Sequence, residues 1–75
     1  MTNIPSFDGK RLLKILRKLG FEEVRVRGSH HFLRHDDGRS TVLPVHSNET
    51  IGKGLLFKIL RDCELTIEDL TDASS

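Results

Sequence analysis

Seventy-five residues allow one domain, residues 1–75, with a thin core that a partner protein could help to stabilise. Apolar residues make up 36% of the chain and charged residues 31%, which excludes wholesale disorder. The net charge of +1 hides an asymmetry, because residues 1–61 carry all 12 Lys and Arg against six acids, and residues 62–75 carry five acids and no base.

A basic body of about +6 suits a polyanionic partner, nucleic acid above all, although a solvated charged surface gives the same composition. No apolar run approaches the roughly 20 residues that span a bilayer, so no membrane partner is expected. Met1-Thr2-Asn3-Ile4-Pro5 has neither a basic start nor an apolar stretch, so no signal peptide is expected. The single Cys63 cannot form an internal disulfide, and a cytoplasmic protein is the expectation.

Ser6 or Asp8 can cap a first helix starting near residue 8. Leu12, Ile15, Leu16 and Leu19 recur at helical spacing, Lys10, Arg11, Lys14, Arg17 and Lys18 take the other faces, and Gly20 stands where a helix ends. From Phe21 to Arg27 the period changes to two. Val24 and Val26 alternate with Arg25 and Arg27, the pattern of a half-buried strand with the valines inward. Gly28-Ser29 interrupts it as a turn or bulge, His30–His35 forms a second strand, and Asp36-Asp37-Gly38-Arg39 is a hairpin turn. Ser40–Val45 is a third strand, with Pro44 marking an edge or an end. A polar loop, 46–50, precedes a second helix expected over Ile51–Asp62, with Gly52 and Gly54 weakening its first turn. A short helical turn at 66–70 is capped by Thr66, and 71–75 should fray. The order α-β-β-β-α predicts a two-layer α+β domain: two helices on one face of a three-stranded antiparallel sheet, the order of the double-stranded-RNA-binding-domain fold.

Histidines carry the candidate chemistry. His30, His31 and His35 lie within six positions and His46 follows the third strand. Histidine exchanges protons near neutral pH. RNA supplies its own nucleophile, the 2′-hydroxyl, so cleavage needs a base, an acid and groups that hold charge on the phosphate, and no metal. A histidine at a Gly28-Ser29 turn, with Arg27, Arg34 and Arg39 around it, supplies that set, although clustered histidines are also common as ordinary strand residues. Strand parity puts His30, Phe32 and Arg34 on one face and His31, Leu33 and His35 on the other, and neither face is plainly apolar. His31 and His35 would stand on the order of 13 Å apart, too far to share a metal, and no CxxC or HExxH spacing occurs. Cys63 falls on a helix stripe as a small core residue. Gly52-Lys53-Gly54 lacks the rest of a phosphate-binding loop.

Together these residues resemble the HicA toxin family. The likeness runs through Lys18-Leu19-Gly20-Phe21, Arg27-Gly28-Ser29-His30-His31-Phe32, Arg39-Ser40-Thr41-Val42-Leu43-Pro44-Val45-His46, Ile51-Gly52-Lys53-Gly54-Leu55 and Ile59-Leu60, about residues 8–65. The resemblance implies a double-stranded-RNA-binding-like fold, metal-independent cleavage of mRNA without a cofactor, and neutralisation by a HicB-like antitoxin that covers the active site. It implies that Gly28 and Ser29 shape the active-site turn, that a histidine is catalytic, and that Arg27, Arg34, Arg39 and Lys53 meet RNA. Some relatives carry the key histidine one position later, which keeps His31 beside His30. The family's usual large apolar residue at the position of Leu33 makes the 31/33/35 face the buried one and favours His30. The acidic tail is not explained by the family. A non-catalytic RNA-binding module of the same fold is the alternative, and a pure interaction protein is a third reading.

Overall fold

The computed structural model describes residues 5–74; the expectations for Met1–Ile4 and for Ser75 lie outside them. Helix α1, Gly9–Lys18, starts where the Asp8 side chain accepts the backbone N–H of Arg11 at 2.7 Å, the N-cap expected of an aspartate. Leu12, Ile15 and Leu16 are buried, so the helical stripe faces inward, and Arg17 and Lys18 sit in the last turn, where the helix dipole favours cations. Gly20 reverses the chain with φ +98°. It also admits a neighbour: a Cβ built there would lie 2.7 Å from His35 Nε2.

Three antiparallel strands follow in the order β1 (Phe21–Arg27), β2 (His30–His35) and β3 (Ser40–Pro44). Gly28, with φ +59°, opens the two-residue turn between β1 and β2, the place where a tight hairpin asks for a positive φ. Pro44 is the last residue of β3, an edge strand. One irregularity matters more than the rest. The β1–β2 register shifts between Glu23 and Arg25, making Val24 the extra residue of a β-bulge.

The bulge corrects the expectation that Val24 and Val26 form a buried half of β1. They are 60% and 49% exposed. Only Phe21 is buried in that strand, because β1 is an edge strand and the extra residue breaks its alternation.

Helix α2, Lys53–Cys63, begins two residues later than its pattern implies. Ile51 donates its N–H to the Phe7 carbonyl at 2.8 Å, and Thr50 bridges Asp8, so this segment stays extended until Gly52. Where two main helices were expected the described residues form three. Helix α3, Ile67–Ala73, extends past the expected turn and takes in residues expected to fray. Thr66 and Asp69 cap it reciprocally, Leu70 is fully buried beneath it, and Lys18 Nζ donates to the Ala73 carbonyl at 3.3 Å.

Phe21, Leu33 and Leu43 from the sheet meet Leu12, Leu16 and Ile59 from the helices in one core. The helices of the described residues therefore lie on one face, and none of them packs on the other face of the sheet. Cys63 is in that core, and burial pushes its thiol up to about 11.

Two stability predictions result. Gly20→Ala should destabilise the domain by about 1–3 kcal/mol in urea unfolding, since the new side chain meets both an unfavourable φ and the His35 ring; an unchanged midpoint would contradict this packing. The Cys63 thiol keeps its proton in the folded state to a pH about two units above its ordinary 9.0. The unfolded chain then binds fewer protons between those values, so stability present below pH 9 should fall as pH rises toward 11. Cys63→Ala should show a shallower alkaline decline than the wild type in thermal melts.

Candidate functional site

The register sorts the candidate residues into cross-strand rows, because paired residues share a face. On the open face the rows are Arg27–His30–Pro44, Arg25–Phe32–Val42 and Glu22–Arg34–Ser40. On the helix face they are Val26–His31–Leu43 and Glu23–Leu33–Thr41, with Phe21 opposite His35. Leu33 is 1% exposed, as the family resemblance implies.

The four histidines have different surroundings. His30 is exposed beside the Gly28–Ser29 turn, and its ring makes no hydrogen bond, ion pair or ring contact among the described residues. His31 is only 18% exposed, and its Nδ1 donates to Glu23 Oε2 at 2.7 Å. The same carboxylate oxygen meets Arg17 Nη2 at 3.4 Å, so an arginine, a carboxylate and a histidine form a chain from the end of α1 to β2. His35 packs edge-on against Phe21, with ring centres 5.1 Å apart, and its Nδ1 accepts the Asp37 N–H at 3.2 Å. His46 is exposed beyond β3 and lines a cleft of about 120 Å³ with Pro44, Thr50 and Gly52.

The structure gathers Arg27, Gly28, Ser29 and His30 at one end of the sheet. Val45 ties the turn to the strand beyond Pro44 by donating its N–H to the Ser29 carbonyl at 2.8 Å. A Cβ at Gly28 would meet nothing within 4 Å, so the turn's backbone is open to an approaching group. Lys53 opens α2 one residue past Gly52, which lines the His46 cleft. Arg34 shares the open face with His30 but stands two rows away.

Arg39 is not part of that gathering. Its Nε donates to the Asp37 carboxylate at 2.8 Å, its Nη1 donates to the Cys63 carbonyl, and its guanidinium lies 5.2 Å over the Phe21 ring. The side chain closes the hairpin turn and caps the end of α2. Hydrogen bonds from Arg39 hold the Asp37 carboxyl below its usual range. Among the described residues, no three His, Cys, Asp or Glu side chains gather as metal ligands, and no helix is long and apolar enough to cross a membrane.

Sequence reasoning missed Glu23, Arg25 and Phe32. Counting pairs outward from a two-residue turn puts Glu23 opposite Arg34, on the face away from His31, and only the bulge brings it round. The i,i+2 spacing of His30 and Phe32 was visible, and the resemblance put it on the solvent face, but Phe32 was given no role there.

A family model described as the HicA toxin of bacterial toxin-antitoxin systems matches residues 9–65. No curated protein matches the chain significantly.

The His31–Glu23 contact generates one prediction. His31→Ala or Glu23→Ala should each cost about 1–2 kcal/mol, a charge-assisted hydrogen bond discounted for partial exposure, whereas His30→Ala should change stability by less than about 0.5 kcal/mol. Urea midpoints compare them, and equal losses at 30 and 31 would contradict the assigned difference.

Proposed function

The chain belongs to the HicA toxin family of bacterial toxin-antitoxin systems, and from that premise we propose that it is a metal-independent endoribonuclease acting on mRNA in the cytoplasm and neutralised by a HicB-like antitoxin. The observation that carries this reading is the exposed His30 at the Gly28–Ser29 turn, directly opposite Arg27.

In the proposed reaction the neutral His30 imidazole takes the proton of an RNA 2′-hydroxyl. The freed oxygen attacks the adjacent phosphorus, the bond from phosphorus to the 5′-oxygen breaks, and the leaving oxygen takes a proton. A 2′,3′-cyclic phosphate and a 5′-hydroxyl result, with no metal or external nucleophile in the balance. Arg27 is placed to hold charge building on the phosphate oxygens, and the uncovered Gly28 backbone allows close approach. Lys53 and Arg34 would meet flanking phosphates. Arg39 commits its Nε to Asp37 and its Nη1 to the Cys63 carbonyl.

The His31–Glu23 hydrogen bond favours a second reading of the same reaction. A carboxylate at Nδ1 fixes the tautomer and aims Nε2, as a general base requires. In that version His31 takes the proton and Glu23 positions it.

Purified protein should cleave RNA in the presence of EDTA, and its expression should arrest growth. His30→Ala should lower the cleavage rate on the order of a hundredfold or more, the usual contribution of a positioned base, and relieve the arrest. If His31→Ala and Glu23→Gln remove cleavage while His30→Ala does not, the second reading holds. Full cleavage in both histidine variants would remove the catalytic assignment. Salt-dependent RNA binding with no cleavage by the wild type would leave the non-catalytic binding module.

A further inference from the structure

The open face of the sheet has a composition that neither core packing nor proton transfer requires. Its centre is Phe32, half-buried, with the guanidinium of Arg25 5.9 Å from its ring centre. Val24 and Val42 flank it, and with Arg34 and with Lys58 and Asp62 of α2 they line a shallow depression of about 310 Å³. Three arginines, Arg25, Arg27 and Arg34, share this face with a single acid, Glu22, in the paired rows. No helix covers it.

An aromatic ring bracketed by arginines on an uncovered sheet matches an unpaired nucleic-acid base. The base stacks on the ring, the guanidinium takes the adjoining phosphate, and stacking tolerates any base because every base has a π-face. Position adds to composition. Phe32 and His30 are two residues apart on one face of β2, about 6.7 Å along the strand, so a base stacked at Phe32 leaves its neighbouring phosphate within reach of His30 and Arg27.

We infer that the open sheet face is a subsite for single-stranded RNA, in which Phe32 stacks the base next to the scissile phosphate and Arg25 and Arg34 hold the flanking phosphates. This rests on the reading that RNA is the substrate, and it assigns the strand a path over the sheet and not along the basic face of α1. A duplex has no free base to offer Phe32, so selection for unpaired RNA is built into this face.

The test uses the full chain and a fluorescein-labelled single-stranded 2′-O-methyl RNA, which cannot be cleaved whichever histidine acts. Anisotropy titrations at several salt concentrations give affinity and salt slope. Phe32→Leu should weaken binding on the order of tenfold. Arg25→Gln and Arg34→Gln should each weaken it and reduce the salt slope by roughly one phosphate contact. The single strand should bind more tightly than its duplex. Arg25 is exposed, so its variant keeps the test decisive if Phe32→Leu melts early. The inference is overturned if Phe32→Leu and Arg25→Gln both bind within twofold of the wild type. It is overturned equally if Lys14→Glu on α1 abolishes binding while the sheet variants do not, or if the Phe32 variant loses only self-association or antitoxin binding. Cleavage of unmodified RNA is scored separately. Binding that depends on Phe32 but brings no cleavage upholds the subsite and removes the nuclease reading, whereas cleavage with binding indifferent to Phe32 does the reverse.

Discussion

The extra residue at Val24 is the constraint on which the arrangement of this molecule depends. A strand's side chains alternate faces, so one inserted residue exchanges the faces of everything on its far side. From the Gly28–Ser29 turn, pairs run regularly as far as Arg25 and Phe32. Beyond the bulge, Glu22 pairs with Arg34 and Glu23 with Leu33. Without the insertion Glu23 would stand on the open face among the arginines, and His31 would be half-buried with no carboxylate beside it. With it, Glu23 moves beneath the helix layer, where it meets His31 and Arg17, and Glu22 takes its place opposite Arg34 on the open face. One residue thus decides which of two adjacent acids satisfies a half-buried ring and which stands among the arginines.

This is also the limit of what the sequence shows. The caps were legible, because Asp8 and Thr66 are short oxygen-bearing side chains placed before apolar periodicity. Both hairpin turns were legible from Gly28 and Gly38. The buried face of β2 was legible only through the family's usual apolar residue at Leu33, because neither face is plainly apolar by itself. The valines of β1 were not, because their alternation has the same period on either face and β1 lies at an edge where burial is weakly specified. The start of α2 was obscured for a similar reason: Ile51 is apolar and buried whether it opens a helix or pairs with the Phe7 segment. Arg39 looked like a nucleic-acid contact because an arginine in a polar turn usually points to solvent. Its role depends on the end of α2 lying beside the hairpin, a contact across 24 positions that no local pattern encodes.

The acidic end of the chain has a structural use independent of any partner. Asp62 accepts from Thr41 at 3.0 Å and from Lys58 at 3.2 Å, joining β3 to α2. Asp69 completes the capping box of α3, with Glu68 beside it in the first turn, where the helix dipole favours negative charge. The split between a basic body and an acidic tail is therefore partly a consequence of where helix ends fall. Basic residues on the open sheet face have no comparable duty. Arg27 and Arg34 make no side-chain hydrogen bond or ion pair among the described residues, and their charge remains available to a phosphate.

The two adjacent histidines divide along the same line. Burying an imidazole without a hydrogen-bond partner is costly, so His31 in the helix layer requires an acceptor, and Glu23 supplies it. That bond serves packing whether or not it also serves catalysis. His30 has no such duty, since solvent satisfies its ring and removing it leaves no orphaned group. In a domain with so small a core, a residue that stability does not require and that stands opposite an uncommitted arginine is the one whose presence is best accounted for by chemistry at the surface. His31 becomes the stronger candidate only if its Nε2 is used as well as its Nδ1, which requires RNA to reach the helix side of β2. The paths over the two faces of the sheet are mutually exclusive for a single strand, so the identity of the base and the location of the RNA are one question.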